Sequence, residues 1–302
     1  MRIVSLLSSA TEIVYELGLQ GRLVGISHEC DHPPEALRLP RVSRSRFDPA
    51  GLTSGEIDAA VRRCMAEFGS VYEVDRALLR ELRPDLILTQ GVCEVCAVPT
   101  GSVLEVVEEL PGGPAVLSLD AHTLEGILRT VEQVADAAGE PGAGEAAVAR
   151  LRGRMEGVAR RVADRPRPRV LALEWLEPPF APGHWVPEMV ERAGGENLLG
   201  TVGGHSVEVP WREVEGLDPE LLLLLPCGYD LEHARADADR SRDRLHALGG
   251  GLAGAGRAWV GHSAYFSRSG PRVVEGIEAL AAAFHPDAFP GADTRGRLER
   301  WG

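Results

Sequence analysis

The stretch LRPDLILTQGVCEVC, residues 82 to 96, is answered later by LDPELLLLLPCGYDL, residues 217 to 231. Each has a leucine, one residue, a proline, an acid, an apolar strand and then a cysteine, nine residues after the proline in one copy and eight in the other. Other segments echo in the same order. RIVSLL near the start is matched by RVLALEWL from Arg169, and the helix-like SSATEIVYELG by VPEMVERAGG. In each half, apolar runs alternate with stretches of helical spacing, which is the pattern of parallel α/β architecture and not of a sandwich or bundle. The expected fold is therefore α/β, with two lobes of mainly parallel sheet.

The spacing predicts helices over SSATEIVYELG, with Ser9 and Glu12 as a capping box and Gly18 as a stop, and over SGEIDAAVRRCMAEF. In the second of these, Cys64 falls on one stripe with Ile57, Val61, Met65 and Phe68, and reads as core filler. Residues 123 to 164 read as helix interrupted at GEPGAG. The expected division is an N-terminal lobe at 1–140, a long linking helix at 141–164 and a C-terminal lobe at 165–302. Two such lobes leave a ligand cleft between them.

At 302 residues the chain is long enough for two cores, and 44% hydrophobic with 25% charged residues is ordinary for a globular protein. The net charge of −13 argues against nucleic acid as a partner, because phosphate binding draws on clustered cations. A neutral, cationic or large polar ligand fits better. No apolar run approaches the length of a membrane span, and the opening MRIVSLL is too short for the apolar core of a secretory leader. The chain as written is thus expected in the cytoplasm, or in the periplasm or at the cell surface if it is a trimmed mature form. Five cysteines, an odd count, speak against a complete disulfide framework.

Ligands of open parallel sheets meet the loops beyond the strands' carboxyl ends. His28, Glu29 and Cys30 follow LVGIS, and Cys93 and Cys96 follow LILTQ. In the second half Trp175 ends RVLALEWL, Cys227 and Tyr229 follow the leucine strand, and His262, Tyr265, Phe266 and Arg268 follow RAWVG. Cys30, Cys93, Cys96, Cys227 and His28 could together hold zinc or an iron–sulfur cluster, since tetrahedral sulfur and nitrogen sets favour those metals; alternatively the thiols only line the cleft. A thioredoxin-like role is disfavoured by Pro99 close behind Cys96. RVSRSRFD supplies Arg41, Arg44 and Arg46 in a loop, and His184 and Trp185 precede Pro187 at a helix start, where both could overhang the cleft. Trp175, Trp185 and Tyr265 fall where a flat ligand could stack. His205, His233, His246 and His285 receive no role. GGGLAGAG follows a helix and precedes a strand, the reverse of the dinucleotide fingerprint, and reads as a turn. With no nucleophile elbow, phosphate-binding loop or His-Glu-x-x-His helix, binding is a better expectation than catalysis.

RIVSLLSSATEIVYELGLQGRLVGIS, LRPDLIL, the long linking helix and DPELLLLLPCG resemble the periplasmic-binding-protein family with a rigid helical hinge, which serves importers of cobalamin, haem and iron siderophores. Within it, SHECDHPPEA, CEVCAV, LEWLEPPFAPGHWVPEMVERAGGENLLG and HSAYFSRSGPR resemble the branch labelled cobalamin-binding protein. The resemblance covers nearly the whole chain. It implies two lobes bridged by one helix, little hinge bending, and cobalamin or a related corrinoid held between the lobes without catalysis. Trp175, Trp185, Tyr265 and Phe266 would then pack on the macrocycle, Arg44, Arg46 and Arg268 would meet its amides or phosphate, and His28 or a thiol would approach cobalt. It also implies docking to an ABC permease through one surface glutamate per lobe, for which Glu73 and Glu213 stand in approximate register. A metal or iron–sulfur protein, a corrinoid-salvage enzyme and a haem or siderophore binder remain alternatives.

Overall fold

In the computed structural model, which describes residues 1–91, 100–108, 110, 112–248 and 251–302, the echo in sequence is an echo in topology. The first lobe runs β1 (Ile3–Ser5), α1 (Ser8–Glu16), β2 (Leu23–Gly25), β3 (Ser43–Ser45), α2 (Ser54–Phe68), β4 (Tyr72–Val74), α3 (Arg76–Leu82), β5 (Leu86–Thr89), α4 (Thr100–Val107) and β6 (Ala115–Ser118). Two helices follow, α5 (Leu124–Ala137) and α6 (Pro141–Val162). The second lobe contains β7 (Arg169–Leu173), β8 (Trp175–Leu176), β9 (Pro179–Ala181), α7 (Val186–Arg192), β10 (Glu196–Asn197), β11 (Val207–Glu208), α8 (Trp211–Glu215) and β12 (Leu221–Leu224). It continues through α9 (Leu231–Arg240), α10 (Arg242–Ala247), β13 (Ala258–Gly261), α11 (Ser263–Phe266), α12 (Val273–Phe284) and β14 (Leu298–Arg300).

The first sheet is parallel with order β2-β1-β5-β6, and the second is β10-β7-β12-β13-β14, parallel except for its last strand. Strands β5 and β12, which carry the two copies of the proline-leucine motif, occupy corresponding places. Both are buried along their whole length, so apart from Thr89 at the end of β5 their residues are apolar. Alternation still sorts them: Leu221 and Leu223 face one core and Leu222 and Leu224 another. Smaller antiparallel pieces, β3 with β4 and β8-β9-β11, were not foreseen, and RVSRSRFD is in part the strand β3 instead of wholly a loop.

One apolar cluster runs through both lobes. It joins Ile3, Leu86 and Leu88 of the first sheet, through α1, α5 and α6, to Val170, Ala172, Leu221 and Leu223 of the second sheet and to α12. Helix α6 starts with Pro141 at its first position, after Gly139 at φ +74° has ended the preceding helix, and it buries Ala147, Val148, Leu151, Met155 and Val158. A second connection lies on the other face of the second sheet. Helix α2, fixed at its start by a capping box of Thr53 and Glu56, buries Ser54, whose hydroxyl donates to Asp237 of α9 at 2.8 Å. Ile57 packs on the second lobe's cluster and Arg62 reaches Glu208 at 3.3 Å. Helix α2 lies across the surface, so its stripe is only half covered; Cys64 is half-buried and Phe68 exposed, contrary to the core reading of that cysteine. All five tryptophans lie in the second lobe, at 175, 185, 211, 259 and 301.

Candidate functional site

The carboxyl ends of β2 and β7 bring carboxylates of both lobes toward one thiol. Cys227, just past β12, is open to solvent, yet protein surrounds it elsewhere, and this burial raises its thiol to about 11. Glu174 of the second lobe and Glu29 of the first add to the rise, so carboxylates of both lobes act on this thiol. Tyr72 of β4 belongs to the same group: burial raises its phenol, with Glu29 and Cys227 contributing. Glu174 ends β7. Burial pushes its carboxyl up to about 7, against hydrogen bonds from the Ser206 hydroxyl and the Gly183 backbone. Such a carboxyl can donate or accept near neutral pH. Beside it Trp175 is half-buried against Tyr229, with ring centroids 5.2 Å apart, and the Tyr229 hydroxyl is buried without a partner. Burial lifts that phenol to about 12.

His28 lines the first lobe's wall. Its Nδ1 is 2.9 Å from Ser43 Oγ, its Nε2 is 3.2 Å from Glu29 Oε1, and its ring lies 5.1 Å from that of Tyr72. The approach of His28 holds Glu29 below the usual carboxylate range. The histidine's Nδ1 is thus hydrogen-bonded, whereas its buried Nε2 approaches Glu29 without a well-formed hydrogen bond.

Several expected cleft residues are placed elsewhere. Cys30 is 1% exposed because the chain turns back at Ser27, to which the Cys30 amide donates, and the thiol sits 3.1 Å from Thr11 Oγ1 in the first lobe's core. Phe266 is fully buried, and Trp185 is buried with its indole N–H donating to the Phe266 carbonyl at 2.7 Å. Both pack the core. Tyr265 stands between the guanidinium groups of Arg272 and Arg297, at 5.1 and 5.6 Å. Arg44 and Arg46 line an open groove of about 590 Å³ on the first lobe, but both lie by Glu73, at 2.9 and 3.9 Å, and Arg46 also covers the Phe68 ring. Cys93 and Cys96 lie outside the described residues. Among the described residues no three donors stand in position for a metal ion, so the expected cluster of Cys30, Cys227 and His28 is not assembled.

Arg268 is instead part of a lock between the lobes. It grips Asp31 with two bonds of 2.6 and 2.9 Å, while Arg272 pairs with Glu12 and lies 3.4 Å from Asp31. Burial pushes the Glu12 carboxyl up, opposed by Arg272 and Arg268. Ser9 Oγ is 3.4 Å from Ser269 Oγ in the same contact. The expected capping box of Ser9 and Glu12 is absent: α1 begins one residue earlier with no side-chain cap, and both residues face the other lobe.

Sequence reasoning also missed Glu174, Tyr72 and a group of three histidines. His122 follows β6; His184 and His205 belong to loops of the second lobe, and the three ring centroids are 5.6 to 5.9 Å apart. His184 is expected at the cleft, and its φ of +51° is unusual for a side-chain-bearing residue. Its amide donates to Gly204 O at 2.6 Å and its carbonyl accepts from Gly203 at 2.8 Å. Burial and the two other histidines lower its pKa to about 4. The position of Glu174 at a strand's end was a signal available in sequence; the meeting of three histidines from distant loops was not.

Comparison with known proteins accounts for this architecture. The family model described as periplasmic binding protein matches residues 3–245. A vitamin B12-binding protein of Vibrio cholerae is 25% identical over 283 residues, covering 92% of this chain and 87% of that one. The crystal structure of the periplasmic vitamin B12 binding protein BtuF of Vibrio cholerae superposes with a TM-score of 0.68 at 22% identity, covering 96% and 98% of the two chains. A periplasmic heme binding protein from Pseudomonas aeruginosa superposes with a TM-score of 0.75 at 23% identity, covering 100% and 98%. With a family model spanning most of its length and the twin-lobed fold in common, this chain belongs to the periplasmic binding protein family.

Proposed function

We propose that the protein is a non-catalytic binding protein for cobalamin or a related corrinoid, held between the lobes, and that it serves an ABC-type importer. What supports the choice of ligand is the chemistry between the lobes: Glu29 of the first lobe and Glu174 of the second both act on the Cys227 thiol, and Glu29 and Cys227 act on the Tyr72 phenol. The neighbouring guanidinium groups of Arg44, Arg268 and Arg272 are already committed to Glu73, Asp31 and Glu12. A haem presents two carboxylates and most iron siderophores are anionic, so either would require cations that these pairs consume. A corrinoid presents a rim of neutral carboxamides. Glu174, near half-protonated at neutral pH, can pair with such amides, and Trp175, packed on the Tyr229 ring, offers a flat apolar face.

Importer service carries a location with it: the periplasm or the cell surface replaces the cytoplasm expected from the chain as written, in keeping with the relatives' description as periplasmic proteins. Glu213, exposed on α8, remains a candidate for permease docking, whereas Glu73 is engaged with Arg44.

Equilibrium titration with cyanocobalamin and, separately, with haemin tests the reading. Saturable one-to-one cyanocobalamin binding that weakens in Glu174→Ala, with haemin bound far less tightly, is expected. Haemin binding with no cyanocobalamin uptake would overturn it.

A further inference from the structure

We propose that His122, His184 and His205 form a site for one divalent first-row transition-metal ion, bound through imidazole nitrogens supplied by both lobes. The three rings approach one another with centroids 5.6, 5.6 and 5.9 Å apart. With metal–nitrogen bonds of about 2.0–2.1 Å, each centroid stands about 3.2 Å from a shared ion, and three equal ligand angles of roughly 110–120° then separate the centroids by about 5.2–5.5 Å. The observed triangle is slightly wider, so three imidazoles would reach one ion after a small inward shift.

As the rings stand, no three donors among the described residues are in ligating position. Ligation therefore requires the rings to turn. The Cβ–Cγ bond of histidine points nearly through the ring centre, so rotation about χ2 swings both nitrogens while leaving the centroid in place, and this torsion is soft. Among the described residues their ring–ring contacts are with one another, apart from that of His184 with Trp185. The His184 Nε2 is buried without a hydrogen-bond partner, a rare condition that calls for an explanation.

The backbone is arranged to hold them. A side chain on Gly183 would collide with the His205–Ser206 backbone, and one on Gly200 with the Pro182 carbonyl, so two loops are pressed together. His184 is kept in the left-handed region by bonds to Gly203 and Gly204. Strain of that kind persists only where surrounding structure enforces it. Imidazole donors suit zinc, nickel, copper and cobalt, and three of them leave a fourth position for water or a ligand group. His122 comes from the first lobe, so a bound ion would join the lobes near Thr123, whose side chain lies against Gly203.

The test is titration of chelator-treated protein with Co²⁺, without corrinoid, followed by its visible bands. One equivalent should bind, with ligand-field bands of nitrogen and oxygen coordination and no thiolate charge-transfer band, and Zn²⁺ should displace it. His122→Gln and His205→Gln should each weaken binding by more than about 100-fold, beyond the loss typical of a supporting residue. In the wild-type chain, Zn²⁺ should shift three imidazole resonances, a readout that does not depend on a variant's folding. Absence of stoichiometric uptake, a thiolate band, or fewer than three shifted imidazoles would overturn the proposal. Failure of cyanocobalamin to bind would leave it standing, and failure of Co²⁺ to bind would leave the corrinoid reading standing.

Discussion

Glu174 shows how burial turns one carboxyl into a dependence on pH. Its folded pKa is about 7 against an ordinary 4.5, so between these values the folded chain keeps a proton that the unfolded chain has released. Stability from this group is full below about 4.5 and lost as pH rises through 7, by at most about 3 kcal/mol. Comparing urea midpoints at about pH 5 and about pH 8 should show a fall that Glu174→Gln reduces. His184 has the opposite sign: its pKa is lowered from 6.5 to about 4, so its contribution is lost as pH drops through that interval. At this scale the sequence was partly legible. The strand-end rule led to Trp175, one residue beyond the more informative Glu174, and to Cys227. It failed for Cys30, because one turn at Ser27 carries that thiol back beneath α1. A rule about strand ends knows where a loop starts but not where it turns.

Helix α1 illustrates the same limit in an element. Its existence and extent were legible from apolar spacing, whereas the roles of Ser9 and Glu12 were not. A serine three residues before a glutamate is a good local capping signal, yet here both side chains answer to the other lobe more than 250 residues away in sequence. Tertiary pairing of a buried charge outweighs a cap at a helix start that is itself buried. Because Glu12 is 5% exposed and faces two arginines, removing it leaves the buried Arg272 with only its 3.4 Å approach to Asp31. Glu12→Ala should cost about 3–5 kcal/mol in urea unfolding. The capping box that does form, at Thr53, stands on exposed α2, where no distant partner competes. The proline-leucine strands were read correctly for a related reason: buried parallel strands are apolar on both faces, and that shows in any window.

At the scale of the whole molecule, the twin lobes were legible from the internal echo, and the continuity between them was not. The apolar cluster through α1, α5, α6 and α12 makes the lobes share a core. They should accordingly unfold together. Tryptophan fluorescence sees only the second lobe and far-ultraviolet circular dichroism sees both, so their urea transitions should coincide. Leu151→Ala, in the middle of α6, should lower both midpoints equally, at a cost of about 2–5 kcal/mol; separated transitions would refute the shared core. Helix α2 adds a constraint from the opposite side of the second sheet, through Ser54 and Asp237. A plate that turns needs one free edge, and this one is pinned along two. The aperture between the lobes should thus be set when the chain folds, and a guest held there as proposed would be selected by its fit to a fixed frame, not by how far jaws can shut around it.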